Sequence, residues 1–211
     1  MSSQTLTPKL DVPEEKWADA APSVHEVIRA RWSPRSFSSR EVSDEDLKTL
    51  LDAARWAASS YNEQPWRFLI ARKTDPGYDK VLNLLVPFNQ AWAKTAPVLI
   101  ITAAKRTFSH NTDQNFHAWH DVGAALANLF LQATALGLHA HGMAGFDRER
   151  AQKELGFPDD FAAVAAVALG YRDSPDKLPA ELTQNELGRR QRKPIGEIAF
   201  GASWNQPLKL G

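Results

Sequence analysis

The chain has 211 residues, with 25 Lys and Arg balanced by 25 Asp and Glu, and no Cys. That length suits one domain able to bury a full core. Zero net charge excludes the basic footprint of a nucleic-acid binder, and the lack of Cys excludes disulfides, thiolate metal sites, iron–sulfur clusters and a Cys nucleophile.

Residues 1–22 are polar, carry Pro8, Pro13 and Pro22 and show no period, so they are expected to be an extension, flexible or wrapped on a partner. They hold no apolar run that could form the core of a signal peptide, which predicts a cytoplasmic protein. Residues 23–211 are expected to form a single domain. Ser23 and Glu26 match a capping box opening a short helix into Arg31, and Ser43 to Asp46 match a second, whose helix carries Leu47, Leu50, Leu51 and Ala54 on one face and should end near Ser59. Trp66–Ala71 and Val98–Ala103, each preceded by Pro, read as buried strands flanking a region of helical character from Asp79 to Lys94. Val122 to Phe146 is uncharged. Its polar Asn128, Gln132, Thr134, His139 and His141, with Gly137 and Gly142, point to a buried helix followed by a strand at His139–Gly142 rather than a membrane span. Asp147 caps a further short helix, Ala162–Gly170 is another strand, residues 173–194 are polar and expected to be extended, and Ile195–Phe200 alternates as one more strand.

The chain contains no G-x-G-x-x-G, P-loop, G-x-S-x-G or H-E-x-x-H motif. His117/His120 and His139/His141 have metal-like spacing but only Asp121 as a further ligand nearby, so no metal is expected. Two basic clusters remain: Arg29, Arg31, Ser33 and Arg35 in R-A-R-W-S-P-R, and Arg189, Arg190, Arg192 and Lys193 in R-R-Q-R-K. Guanidinium forks and a hydroxyl suit a phosphate, although each cluster taken alone reads first as a solvated basic patch. The third feature is S-S-Y-N-E-Q-P-W, Ser59 to Trp66. Its amides Asn62 and Gln64 stand beside an aromatic wall, with Gln64 expected to be extended because it precedes Pro65.

In this order the segments resemble the FMN-dependent nitroreductase family from about Val24 to Trp204. The resemblance rests on R-x-S-x-R-x-F (Arg31, Ser33, Arg35, Phe37), S-S-x-N-x-Q-P-W, D-x-G-x-x-x-x-N (Asp121, Gly123, Asn128) before Leu136–Leu138, A-L-G-Y at Ala168–Tyr171 and R-K-P-x-x-E-I at Arg192–Ile198. It implies an α+β fold, a central and mostly antiparallel sheet flanked by helices, in an intertwined homodimer whose C-terminal strands are exchanged. It also implies that Arg31, Ser33, Arg190 and Arg192 hold the FMN phosphate and ribityl chain, with Trp32 in the same stretch. Arg35 would stand at the N1/C2 edge of the flavin, and Ser59, Ser60, Asn62 and Gln64 would reach it from the partner subunit. Asn89 would meet the pyrimidine edge, and the backbone of Ala144 and Gly145 the N5 region. The sequence departs from relatives at Ala144, where several carry an acid, at Trp92, near a second basic position, and at Trp32, often Arg or His.

The implied activity is that of an NAD(P)H-dependent FMN oxidoreductase passing hydride in a ping-pong cycle to nitroaromatics, quinones or similar small acceptors, with no catalytic side chain of its own required. The same scaffold also serves ene-reductases and dehalogenating reductases, and a non-catalytic flavin-binding sensor or scaffold dimer is the further alternative. Phe108, His110, Phe116 and Trp119 could line a pocket or simply pack.

Overall fold

Among the described residues four strands pair into one antiparallel sheet in the order β1-β2-β4-β3, with β1 at Trp66–Arg72, β2 at Val98–Lys105, β3 at His139–Met143 and β4 at Phe161–Gly170; β2 and β4 are runs of β-branched and small apolar residues. The computed structural model describes residues 10–209, so part of the expected leader, residues 1–9, lies outside the described residues. Both faces of β2 are buried, which is why V-L-I-I-T-A-A reads as a continuous apolar run instead of alternating. Between Thr102 and Ala103 the register with β4 shifts. The Thr102 hydroxyl bridges that bulge, donating to the Ala165 carbonyl and accepting from the Ala165 amide, both at 3.1 Å.

Seven helices lie around the sheet among the described residues: α1 (Glu26–Ala30), α2 (Asp44–Arg55), α3 (Tyr78–Leu82), α4 (Pro87–Ala93), α5 (Ala118–Ala135), α6 (Arg148–Glu154) and α7 (Ala180–Leu187). One core layer joins Leu47 and Leu50 of α2 and Leu129 of α5 to Val98 and Ile100, while the opposite layer joins Trp92 of α4 and Leu182 of α7 to Leu99 and Ile101. Alternate residues of β2 thus feed opposite faces. The Ser43 hydroxyl accepts from Asp46 N at 3.0 Å and Asp147 Oδ1 from Arg150 N at 2.9 Å, so two of the three expected caps form. Gly137 (φ 75°) and Gly156 (φ 70°) stop α5 and α6 in left-handed conformations.

Several local expectations need correction. The first helix is capped by His25, whose Nδ1 accepts from Val27 N at 3.3 Å, and not by Ser23. The 79–94 region splits into α3 and α4, because residue 85 leaves the helix to bridge Phe146. Residues 173–194 are not simply extended: they contain a 3-10 turn at Pro175–Lys177 and α7, opened by Pro179 and closed at Gly188. Within the single chain Ile195–Glu197 is a 3-10 turn, and Phe200 only bridges Pro207. Residues 10–22 lie on their own chain: Ala18 N donates to the Arg29 carbonyl at 2.8 Å and Arg172 pairs with Asp11 at 2.9 Å.

At the end of β4 a Cβ on Gly170 would stand 2.5 Å from Cδ of Pro97 and 3.3 Å from Phe37. Gly170→Ala should therefore cost about 1–3 kcal/mol through overpacking, read as a Tm loss of roughly 2–10 °C in thermal denaturation. An unchanged Tm would show that Pro97 moves aside freely.

Candidate active site

The segment from Arg31 to Ser38 leaves α1 and is pinned to the end of the sheet by the Phe37–Arg172 bridge, by Ser38 N donating to Tyr171 O at 2.9 Å, and by the Ser36 hydroxyl donating to Ser174 O at 2.6 Å. Phe37 is buried and anchors the stretch in the core. Arg31 Nη1 donates to the Ser33 hydroxyl at 3.1 Å. The distant Arg190 reaches back across the same turn, its Nη1 donating to Arg31 O at 2.5 Å and its Nη2 to Arg29 O. The two basic clusters, separate in sequence, therefore form one cleft of about 700 Å³, bordered by Arg31, Arg190, Arg192, Lys193, Asp19 and Ile195.

Among the described residues neither Arg31, Arg190 nor Arg192 makes an ion pair with a carboxylate. Burial and the charge of Arg192 hold the Arg31 guanidinium below its usual range, and burial with Arg31 and Arg192 pulls Arg190 down to about 10. Guanidinium groups gathered in this way present charge-assisted donors of the kind a multivalent anion accepts from. Trp32 contributes no side chain to the cleft. It is buried, edge-on to His139 at 6.0 Å with the Lys16 ammonium 4.9 Å above its ring, so only its backbone is available.

From this cleft a row of contacts runs along the edge strand β3. The His141 Nδ1–H donates to Pro34 O at 2.9 Å, and its ring lies 4.6 Å from that of Trp92, which stacks on Phe37 at 6.4 Å. One turn earlier in α4, buried Asn89 donates from Nδ2 to Gly145 O at 3.0 Å. A Cβ at Gly145 would lie 2.7 Å from that amide nitrogen and 2.9 Å from Val86, so this backbone has to be bare, and Ala144 beside it is exposed. Arg31, Ser33, Arg35, Asn89, Ala144, Gly145, Arg190 and Arg192 thus lie along one side of the molecule.

The Ser59–Gln64 loop is elsewhere. It runs into Trp66, which pairs with Ala104 at the far end of β2 from Val98 and Leu169, a separation of roughly 20 Å at ~3.3 Å per residue. Its hydrogen bonds are local: Ser60 N donates to buried Asp121 at 3.0 Å, Gln64 N to Ser59 Oγ at 3.1 Å, and Gln64 Nε2 to Asn62 O at 3.1 Å. Glu63 accepts from Ser109 through both amide (2.9 Å) and hydroxyl (2.6 Å) and from Lys105 at 3.2 Å. Burial would raise the Glu63 carboxyl, but these donors outweigh it and hold the group below the ordinary carboxylate range. Gln64 is not extended, as Pro65 led one to expect. With φ 51° it joins Tyr61 (φ 50°) and Asn62 (φ 55°) in the left-handed region, where this hydrogen-bonded frame overrides the pre-proline preference.

Sequence reasoning missed Glu186, which is buried and accepts from Arg35 N at 2.8 Å. The signal was present, as Pro179 and Gly188 punctuate a helix on which Leu182 and Glu186 share a face. Among the described residues no three His, Asp or Glu side chains gather as a metal site, and no helix is long and apolar enough to cross a membrane.

Burial holds His139 and His141 at about 4, against an ordinary value of 6.5. The unfolded chain therefore takes up protons that the folded chain refuses, and stability should fall as pH drops from about 6.5 to about 4. Urea midpoints across that range should show the slope, with His141→Gln flattening it. An unaltered slope would assign the effect to other groups.

A family model described as the nitroreductase family matches residues 28–171. An Archaeoglobus fulgidus protein named as an NADH dehydrogenase/NAD(P)H nitroreductase is 31% identical over 161 residues, 74% of this chain and 89% of its own. A Thermus thermophilus protein named NADH dehydrogenase is 30% identical over 172 residues, 67% of this chain and 82% of its own. Among solved structures, one described as an oxidoreductase containing FMN superposes with a TM-score of 0.84 at 36% identity over 90% of this chain and 96% of that one. A Desulfovibrio desulfuricans nitroreductase-like protein in complex with FMN superposes with a TM-score of 0.70 at 26% identity, over 88% and 99%. With two-thirds of its length under that family model, and with the arginine cleft, the bare Gly145 backbone and the antiparallel sheet in place, the chain belongs to the nitroreductase family.

Proposed function

We propose that this protein is an NAD(P)H-dependent FMN oxidoreductase that acts as a homodimer in the cytoplasm. It would reduce nitroaromatics, quinones or similar small acceptors in a ping-pong cycle. The observation that carries the reading is the convergence of Arg31, Arg190 and Arg192 on one cleft, with no carboxylate ion pair among the described residues and with the Ser33 hydroxyl hydrogen-bonded to Arg31. That donor set fits a phosphate dianion. The unpartnered Nε of Arg35 and the backbone at Gly145, too tight for any Cβ, fit a flat polar ring system farther along the same edge.

In this reading Arg31, Ser33, Arg190 and Arg192 hold the phosphate and ribityl chain, and the Trp32 backbone lines their turn. Asn89, Ala144 and Gly145 border the ring, and Arg35 places a cation where negative charge builds up on reduction. The flavin supplies acceptance of hydride from NAD(P)H and its delivery to the acceptor. The protein positions the reactants and supplies fixed charge. No Rossmann fingerprint is present, so nicotinamide would be held by stacking and a few contacts.

Ser59, Ser60, Asn62 and Gln64 cannot join that edge within one chain, because the sheet separates them from it. A second copy would supply them. The interface proposed for it is the uncharged exposed stripe Trp119, Gly123 and Ala127 of α5, beside Ile28 (52% exposed) and Trp56 (75% exposed), with Ile195, Ile198 and Trp204 of the C-terminal segment crossing onto the partner. Residues 23–211 would then be one domain, with the leader as an appendage to it.

Arg31→Ala should weaken FMN binding about 10–100-fold while leaving riboflavin, which lacks the phosphate, nearly unaffected. Fluorescence titration of the apoprotein measures both, and an equal loss for the two ligands would remove the phosphate assignment. Ala127→Arg should yield a monomer by light scattering that no longer retains flavin after desalting. A monomer with flavin still bound would contradict a shared site.

A further inference from the structure

Arg35 does not stand alone. The carboxylate of Glu186, 5% exposed, lies directly behind it: Oε1 accepts from Arg35 N at 2.8 Å and from Ser36 N at 3.5 Å, and Oε2 is 3.8 Å from Arg35 Nη1. A second cation, from the leader, is fastened to the turn just beyond α7. Lys16, 3% exposed, donates its ammonium to Gly188 O two residues beyond Glu186 and covers the Trp32 ring. Burial pulls the Lys16 ammonium below its usual range, Glu186 opposes that shift, and Arg190 and Arg35 add to it. Enclosing a carboxylate is costly without compensating charge; Arg35 stands 3.8 Å from it, and Lys16 adds its field from the Gly188 carbonyl.

We propose that Glu186 is a positioning residue for Arg35, and that Glu186 and Lys16 together set how much of the Arg35 charge acts on the bound flavin and hence its reduction potential. The inference rests on the proposed function, since it needs the flavin beside Arg35. Hydride transfer from NAD(P)H brings two electrons and one proton, oxidises the nicotinamide and leaves a net negative charge on the ring system. A cation at that position favours the reduced form. Glu186 moderates this cation by neutralising part of its field and by fixing the backbone that carries it. Lys16 in turn competes for Glu186, so removing either partner changes the charge available at Arg35, but in opposite directions.

The test is the midpoint potential of FMN-loaded protein, measured with a reference dye for wild type, Glu186→Gln and Lys16→Met. Glu186→Gln keeps the Oε1 acceptor and deletes the charge, so the reduced form should gain, up to tenfold in the reduced-to-oxidised ratio at fixed potential, about 30 mV for a two-electron couple. Lys16→Met should shift the potential the other way, and Arg35→Ala should abolish both shifts. A purely structural role would move both variants in the same direction or neither, and either result overturns the inference. If Glu186→Gln does not fold, the negative shift in Lys16→Met carries the test and its absence overturns the inference. Flavin retained by wild type with unshifted variants defeats this inference alone; a wild type that retains no flavin defeats the proposed function and this inference with it.

Discussion

The proposed site turns on a group of like charges, Arg31, Arg190 and Arg192, that form no ion pair with a carboxylate among the described residues. Arg190 crosses from the C-terminal segment to donate to the carbonyls of Arg29 and Arg31, beside the Arg31 and Arg192 guanidiniums. Its hydrogen bonds go to main-chain oxygens, which hold it in place but do not cancel its charge. The cost of that repulsion is tolerable because the cleft is open to water and its contents can be anionic.

The rest of the fold serves to keep that cleft rigid. β2 is buried on both faces, so its register with β1 and β4 is strongly specified, and that register determines which elements meet at each end. At the Val98–Leu169 end the Phe37 anchor fastens the Arg31–Ser38 turn. At the Ala104 end lies the Ser59–Gln64 loop. Three successive contacts, Pro34 to His141, His141 to Trp92 and α4 to Gly145, then align the remaining site residues along β3.

Backbone strain gathers in the other half of the predicted site. Tyr61, Asn62 and Gln64 all have positive φ, a conformation costing of order 1–3 kcal/mol per residue in unfavourable cases, and they keep it because Asp121, Ser59 and the Glu63–Ser109–Lys105 group specify the loop from several sides. Tyr61 is left 83% exposed, its ring edge-on to Phe108 at 5.6 Å. In the proposed dimer this strained, well-fastened loop is what would reach the partner's flavin, with the exposed Tyr61 ring beside it.

Much of this was legible in the linear order of residues. Strands at Trp66, Val98 and Phe161 follow from short apolar runs and the one at His139 from its place after the Gly137 helix stop, and Ser43, Asp147, Gly137 and Gly156 mark helix ends, because these signals act within a few residues of themselves. The phosphate-suited chemistry of the two arginine clusters was equally visible as residue type. The sequence by itself determined the four strands, the helix ends with a local cap or stop, and the available donors. The tertiary structure alone decided that Arg190 meets Arg31 across 159 positions, that Glu186 backs Arg35, that Trp32 turns into the core, and that the left-handed Gln64 loop sits at the opposite end of the sheet. Those outcomes depend on burial and register between segments far apart in the chain, and no periodicity or local propensity encodes a contact whose two halves are separated by the whole core.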